Sequence, residues 1–304
     1  MAKSTALFGA WQAGGMFAVS DVLKYWGDVW FVDSVTGTDS AGRGRDPGAP
    51  LATIDYAVGL AAAGDTIICA PTHAETIAGA TGCVLDKAGI QLLGVGSGDR
   101  RPTLTLATAV GATLSVTSAN CLIENIRIIS DLADIAAGIT AAAGADGLVV
   151  RRNYLSDGGA TKELVIGISL AAACDRVLIE ENEFYTVPGG DCASAIKLVG
   201  ASDRTRIRNN LSLGDYSAAN IDGITAAGTL VTIDGNVMQN IDTTAGLCVN
   251  LHASTTGAVV RNLLQGAKTN TPPIVAAGVM DHENYTSAAV GESGIIRPAI
   301  ETYA

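Results

Sequence analysis

Between residues 122 and 285 an apolar branched side chain is followed three positions later by asparagine, and the pair keeps returning. It appears as Leu122/Asn125, Val150/Asn153, Ile179/Asn182, Ile207/Asn210, Ile233/Asn236 and Val259/Asn262. The interval from one asparagine to the next stays in the upper twenties throughout. Self-similarity at such a period is the mark of a solenoid, whose repeats bury their apolar faces only by stacking on one another.

Each period carries two short runs rich in Val, Ile and Leu, such as "LVVRRNYL" and "LVIGISL", separated by Gly, Asp, Ser and Ala. Such runs bounded by turn formers read as strands. No stretch of ten or more residues with 3.6 periodicity fits inside one period, which excludes helical repeats. The dense leucine pattern of a leucine-rich repeat is absent too. The predicted fold is therefore all-β, a right-handed parallel β-helix solenoid with an extended aromatic N-terminal segment and a short capping helix. Six or seven coils at about 4.8 Å each rise roughly 30 Å. Two placements of the asparagines remain open: amides stacked in register and bonded one to the next, or amides each seated in its own left-handed turn.

The remaining chain divides around this stack. Residues 1–30 hold all three tryptophans and two of the four phenylalanines. Large aromatics anchor interfaces, so Phe8, Trp11, Phe17, Trp26 and Trp30 are read as residues that attach the chain to a larger assembly, with folding back over the first coil as the alternative. Residues 31–62 form an N-terminal cap, in which Pro50 and Thr53 precede an Ala-rich stretch predicted as one helix. Residues 63–285 are the β-helix, and 286–304 a C-terminal tail or cap. Near the start of the chain an apolar stretch is broken by Gln12, Gly14 and Gly15, which argues against a cleaved signal peptide.

Composition changes this picture in a few respects. Aromatics are 5% of 304 residues and glycines number 36, in keeping with narrow coils. A formal charge of −11 argues against nucleic acid, which selects basic surfaces. No apolar run reaches the roughly 18 residues of a membrane span. Six cysteines without CxxC spacing are expected as buried thiols, not a zinc site or a disulfide framework. Asp33, Asp39 and Asp46 match no calcium loop and read as turn residues; Gly94, Gly96 and Gly98 read as a turn, not a phosphate loop.

Three blocks in order, "FVDSVTGTDSAGRGRDPGAPLATIDYAV", "GDTIICAPTHAETI" and "LDKAGIQLLGVGSGDRRPTL", together with the coils that follow to about residue 185, resemble a family of bacteriophage virion proteins with a right-handed, pectate-lyase-like β-helix. The resemblance implies a particle component, homotrimeric, in a family without one shared activity, and it leaves the place on the particle open; the expected location is the virion surface. The expected partners are further copies of the chain and the major capsid protein or another virion protein, with a host glycan as a further ligand.

Catalysis is weighed on three acidic pairs: Asp131 with Asp134, Asp175 with Asp203, and Asp215 with Asp222. Glycosidases set two carboxylates roughly 5 to 9.5 Å apart. The recurring Asp175-Arg176 and Asp203-Arg204 steps read more simply as a surface ion-pair ladder. His73, His252 and His282 are too scattered for a triad. Tyr154, Tyr185 and Tyr216 are the aromatic platforms on offer for a sugar, but their spacing exceeds the coil period. The expectation is no enzyme, no catalytic residue, no cofactor and no metal. The favoured function is a capsid decoration or cement protein, with a tail-associated spike or fibre binding host polysaccharide as the alternative and a lyase or hydrolase behind it.

Overall fold

The computed structural model describes residues 27–190, 192–244, 246–267, 273–287 and 293–296. These form a right-handed parallel β-helix of three sheets with ten, ten and eight strands. Each coil visits the sheets in turn. The strand Leu122–Glu124 lies in the first sheet, Arg127–Ser130 in the second and Ile139–Ala141 in the third; Val149–Arg151 then begins the next rung of the first. The first sheet already starts at Val29–Val32, which pairs with Thr66–Cys69.

Register is fixed by burial. On the first sheet Ile67, Leu92, Ile123, Val150, Ile179, Ile207, Ile233 and Val259 stand rung above rung, all fully buried. A slip of one residue would turn every one of them to solvent. Glycine spacing is equally constrained: a Cβ at Gly257 (φ +135°) would lie 1.9 Å from the Val231 carbonyl oxygen one coil away.

The corner between the first and second sheets resolves the two placements of asparagine. The turn is tight, and its leading residue is left-handed: Arg152, Glu181, Asn209, Gly235, Arg261 and Glu283 all have φ between 54° and 67°. The next residue is the asparagine, and its amide bonds along the stack. Asn153 Nδ2 donates to Asn182 Oδ1 (3.1 Å), Asn182 to Asn210 (3.0 Å), Asn210 to Asn236 (3.0 Å), Asn236 to Asn262 (3.0 Å) and Asn262 to Asn284 (2.8 Å). Each Oδ1 also accepts the backbone N–H of the asparagine before it. A non-glycine residue in the left-handed region costs about 1–2 kcal/mol, and the buried amides offset it by satisfying the corner's backbone groups.

Asn125 does not belong to this row. It occupies the left-handed position itself (φ 60°) and its amide donates to the carbonyls of Gly94 and Gly96. Ile126 holds the ladder position in that coil and donates its N–H to Asn153 Oδ1. Asn284 closes the row at the other end.

The cap is built as a plug. The helix Ile54–Leu60 begins at Thr53, whose hydroxyl accepts from Tyr56 N–H, and buries Ile54, Ala57 and Val58. Asp39 holds the entry by accepting from Ala52 N–H, Thr53 N–H and the Thr53 hydroxyl. At the far end the strand Ser293–Ile296 runs antiparallel to Asn284–Ser287 and closes the second sheet.

All six cysteines are free and buried. Burial pushes their thiols up, Cys248 to about 12. With so little thiolate at neutral pH, none of the six is expected to react with Ellman's reagent in the native protein, and all six in denaturant. A native count of one or more would contradict the packing described.

Candidate functional site

The acidic pairs singled out in the sequence are used structurally. Asp131 is ion-paired with Lys162, and Asp134 turns the chain at φ 57°. At the corner between the third and first sheets Asp146 accepts from Asp175 N–H (2.9 Å), Asp175 from Asp203 N–H (2.9 Å) and Asp203 from Thr229 N–H (2.8 Å). This is a backbone-capping row in place of the expected ladder of ion pairs, and Arg176 with Asp146 (3.2 Å) is the one pair it carries among the described residues. Asp215 accepts from Gly189 N–H.

The ion-pair ladder lies instead on the outer face of the first sheet. Glu124, Arg151, Glu180, Arg208 and Asp234 are successive register partners. Arg151 and Arg208 each approach a glutamate to 2.7 Å. These positions precede the ladder position by two residues in every coil, a signal present in the sequence. The glutamates are largely covered, Glu180 to 8% exposure, so the cost of desolvation offsets much of the attraction within each pair.

On the outer face of the third sheet the register stacks Ser115, Thr140, Ser169, Lys197, Asp222 and Asn250. Lys197 Nζ is 3.4 Å from Asp222 Oδ2, and the Asp222 side chain is only 3% exposed. An ammonium already held by a buried carboxylate is a structural pair first. No group of three or more metal-ligating side chains occurs among the described residues. His73 is buried beneath the cap against Glu75 (3.2 Å) and accepts from Ser34 N–H, whereas His282 is exposed beside Glu283.

The second sheet brings two of the three tyrosines together. Its strands Arg127–Ser130, Tyr154–Ser156 and Glu183–Tyr185 place Arg127, Tyr154 and Glu183 in one outward column and Ser156 opposite Tyr185. One full coil carries Tyr154 onto Glu183, and Tyr185 lies two residues further along the same face, so a spacing longer than the coil still keeps the rings adjacent. Their centroids are 5.3 Å apart at an interplanar angle of 31°. The Arg127 guanidinium stands 5.5 Å from the Tyr154 ring centroid, an attractive cation–π arrangement. The Tyr185 hydroxyl is 3.4 Å from Glu183 Oε2. Burial, then the Glu183 charge, push the Tyr185 phenol up, so it remains a protonated donor at neutral pH. Tyr216 does not join this patch. It is fully buried, with its hydroxyl 3.1 Å from Ser212 Oγ.

Two half-buried rings flanked by a guanidinium and a carboxylate offer what a sugar recognises. Apolar ring faces stack against C–H surfaces, and charged hydrogen-bonding groups at the rim engage hydroxyls. Among the sequence candidates this is the one constellation that folding assembles on an open face.

Of the attachment residues, Phe8, Trp11, Phe17 and Trp26 lie outside the described residues. Trp30 is a correction: it is 6% exposed in the first strand, its indole N–H donates to Asp65 Oδ2 (3.0 Å), and Arg45 covers its ring at 3.7 Å. The alternation of the strand turns Trp30 and Val32 inward, which withdraws Trp30 from any grip on another protein. Burial pushes the Asp65 carboxyl up, but hydrogen bonds from Ala62 N–H, the Trp30 indole and Asp28 N–H outweigh it and hold the group below its ordinary value. A depressed carboxyl contributes stability that is present above its unfolded pKa of about 3.9 and lost as pH falls through the folded value. Asp65→Asn is expected to lower stability by about 1–3 kcal/mol at neutral pH. The gap to the wild type should close as pH drops below the carboxylate range in urea titrations; a gap that did not narrow on acidification would contradict this role.

No protein-family model matches this chain, and no curated protein does. Among solved structures it is similar to an alginate lyase from Paenibacillus sp. str. FPU-7, at 13% identity over 77% of this chain and 95% of that one, with a TM-score of 0.47. It is also similar to a rhamnogalacturonan lyase (13% identity, 89% and 90% covered, TM-score 0.39). A third likeness is a GH136 lacto-N-biosidase from Eubacterium ramulus (11% identity, 86% and 68% covered, TM-score 0.36). At such identities the likeness is one of fold. The expectation of no enzyme is corrected: the three solved structures named here are two lyases and a biosidase, and the exclusion of catalysis is withdrawn.

Proposed function

We propose that this protein is a component of a bacteriophage particle whose coil stack engages polysaccharide of the bacterial surface across the outer face of the second sheet. The observation that carries the glycan reading is the Tyr154–Tyr185 pair, 5.3 Å apart, with Arg127 and Glu183 at its rim. The virion assignment rests on the three sequence blocks that resemble phage β-helix proteins. Arg127 and Glu183 supply the polar contacts and the rings the stacking surface, while the rigid ladder beneath fixes their spacing. The test is calorimetric titration of the full chain with purified bacterial surface polysaccharides, with reducing-end release followed in the same samples to read cleavage. Saturable binding to at least one polysaccharide is expected, and no binding across a broad panel would overturn the reading.

Capsid decoration by a trimer is the second reading. The observation favouring it is an uncharged apolar strip on the later coils of the same sheet, suited to lateral packing. Imaging of labelled particles separates the two readings: signal over the shell supports decoration, and signal at the tail supports the glycan role.

A further inference from the structure

Around the tyrosine pair the nearest basic side chains already face acids. The Arg127 guanidinium, set against the Tyr154 ring, has Asp99 at 4.0 Å. At the corner before the sheet Arg152 is held by Glu124 (3.0 Å) and Glu181 (2.8 Å). At the corner after it Lys162 is held by Asp131. Arg100 and Arg101 stand at the turn before Thr103, two rungs from Tyr154 and three from Tyr185.

The acids of the same strands and their corners are not matched in this way. Glu183 meets the Tyr185 hydroxyl (3.4 Å), Asp215 accepts from Gly189 N–H (2.9 Å), and Asp157 accepts from Leu164 N–H (2.8 Å) and Val187 N–H (2.9 Å). No lysine or arginine pairs with any of the three among the described residues. Burial pushes the Asp157 carboxyl up, so the charge that meets a ligand on the open face is that of Glu183. Arg127 and Glu183 share one column, two rungs and roughly 10 Å apart at the interstrand spacing, with Tyr154 between them. One cation and one anion across the rings leave a floor without net charge, where the guanidinium donates to hydroxyls and the carboxylate accepts from them. A glycan with a carboxylate on successive sugars would set one of them against Glu183 wherever it reached both rings. Like charges so placed repel, and the net charge of −11 adds to the repulsion.

We propose that the polysaccharide held over Tyr154 and Tyr185 is uncharged, and that Glu183 is the specificity-determining residue that turns polyanionic chains away; this rests on the glycan reading of the same face. Recognition then runs through ring stacking and hydroxyl hydrogen bonds. The affinity is set by contacts that salt does not screen.

The experiment is calorimetric titration of the full chain with three sets of polymers. The first is natively uncharged bacterial surface polysaccharides, the second uronate-containing ones, and the third the same uronate polymers after reduction of their carboxyls to alcohols. Binding is expected from the uncharged polymers, with an affinity that holds between about 0.1 and 1 M salt, over which the screening length falls from about 10 to 3 Å. Each uronate polymer should bind at least about tenfold more weakly than the best uncharged one. Glu183→Arg should raise affinity for the uronate polymers by about tenfold at low salt, with an unchanged far-ultraviolet spectrum. Glu183→Gln, similar in size and uncharged, should move it the same way by a smaller factor. A uronate polymer that binds wild type as tightly as its reduced form does, or tightest of all with an affinity that collapses in salt, would overturn the proposal. So would a Glu183→Arg and a Glu183→Gln that both leave uronate binding where it was. No binding by any polymer would overturn the glycan reading itself, and the proposal with it.

Discussion

Asn182→Ala is expected to destabilise the protein by about 3–5 kcal/mol, because an unpartnered buried donor or acceptor costs about 1–3 kcal/mol. The Asn182 carboxamide accepts from both the backbone and the amide nitrogen of Asn153, and donates to the Val150 carbonyl and to Asn210. Alanine removes all four contacts in the middle of the row and leaves the Asn153 N–H and the Val150 carbonyl buried without these partners. Nothing can replace them from solvent, since Asn153, Asn182 and Asn210 are at most 4% exposed. The neighbouring Arg152→Ala, which removes surface pairs with Glu124 and Glu181, should cost less than about 1 kcal/mol. Urea unfolding followed by circular dichroism compares the two variants. An Asn182→Ala midpoint close to that of Arg152→Ala would mean that the amide row does not hold the corners.

The second large effect is on binding. Tyr154→Ala and Tyr185→Ala are each expected to weaken polysaccharide affinity about tenfold, one decade corresponding to about 1.4 kcal/mol. Both rings face outward, so stability should fall far less than for the asparagine variant. The rings touch, and the two changes are therefore expected to couple, with the double variant departing from the simple sum. Unaltered calorimetric affinity in the double variant would remove the rings from recognition.

Much of the fold is legible in the sequence because solenoids repeat their constraints. The apolar residue and the asparagine three places later mark one corner, and stacking in register follows from identical side chains at a nearly constant period. Asn125 shows the limit of this reasoning. Asparagine suits both the ladder position and the left-handed position before it, and only the turn geometry separates the two. The coil from Asn262 to Asn284 is shorter than the others in the row, which hides the last member.

Side-chain neighbours across coils are harder to read, since coil length varies while register does not. Tyr154 and Tyr185 look out of step by their spacing, yet a two-residue advance along a strand returns to the same face. Lys197 and Asp222 meet across a coil shorter than those on either side of it. Trp30 falls with the aromatic residues before it by proximity in the chain, although the alternation of the strand places it inside. The division of the second sheet into a charged, aromatic half and an uncharged half depends on register along seven strands, and no local motif announces it.

The most direct test of the central claim is electron cryomicroscopy of the full chain saturated with a polysaccharide to which it binds. The account predicts glycan density on the outer face of the second sheet, over Tyr154 and Tyr185 and between Arg127 and Glu183. Density lying along the third sheet at Lys197 and Asp222, with the two tyrosines bare, would contradict it.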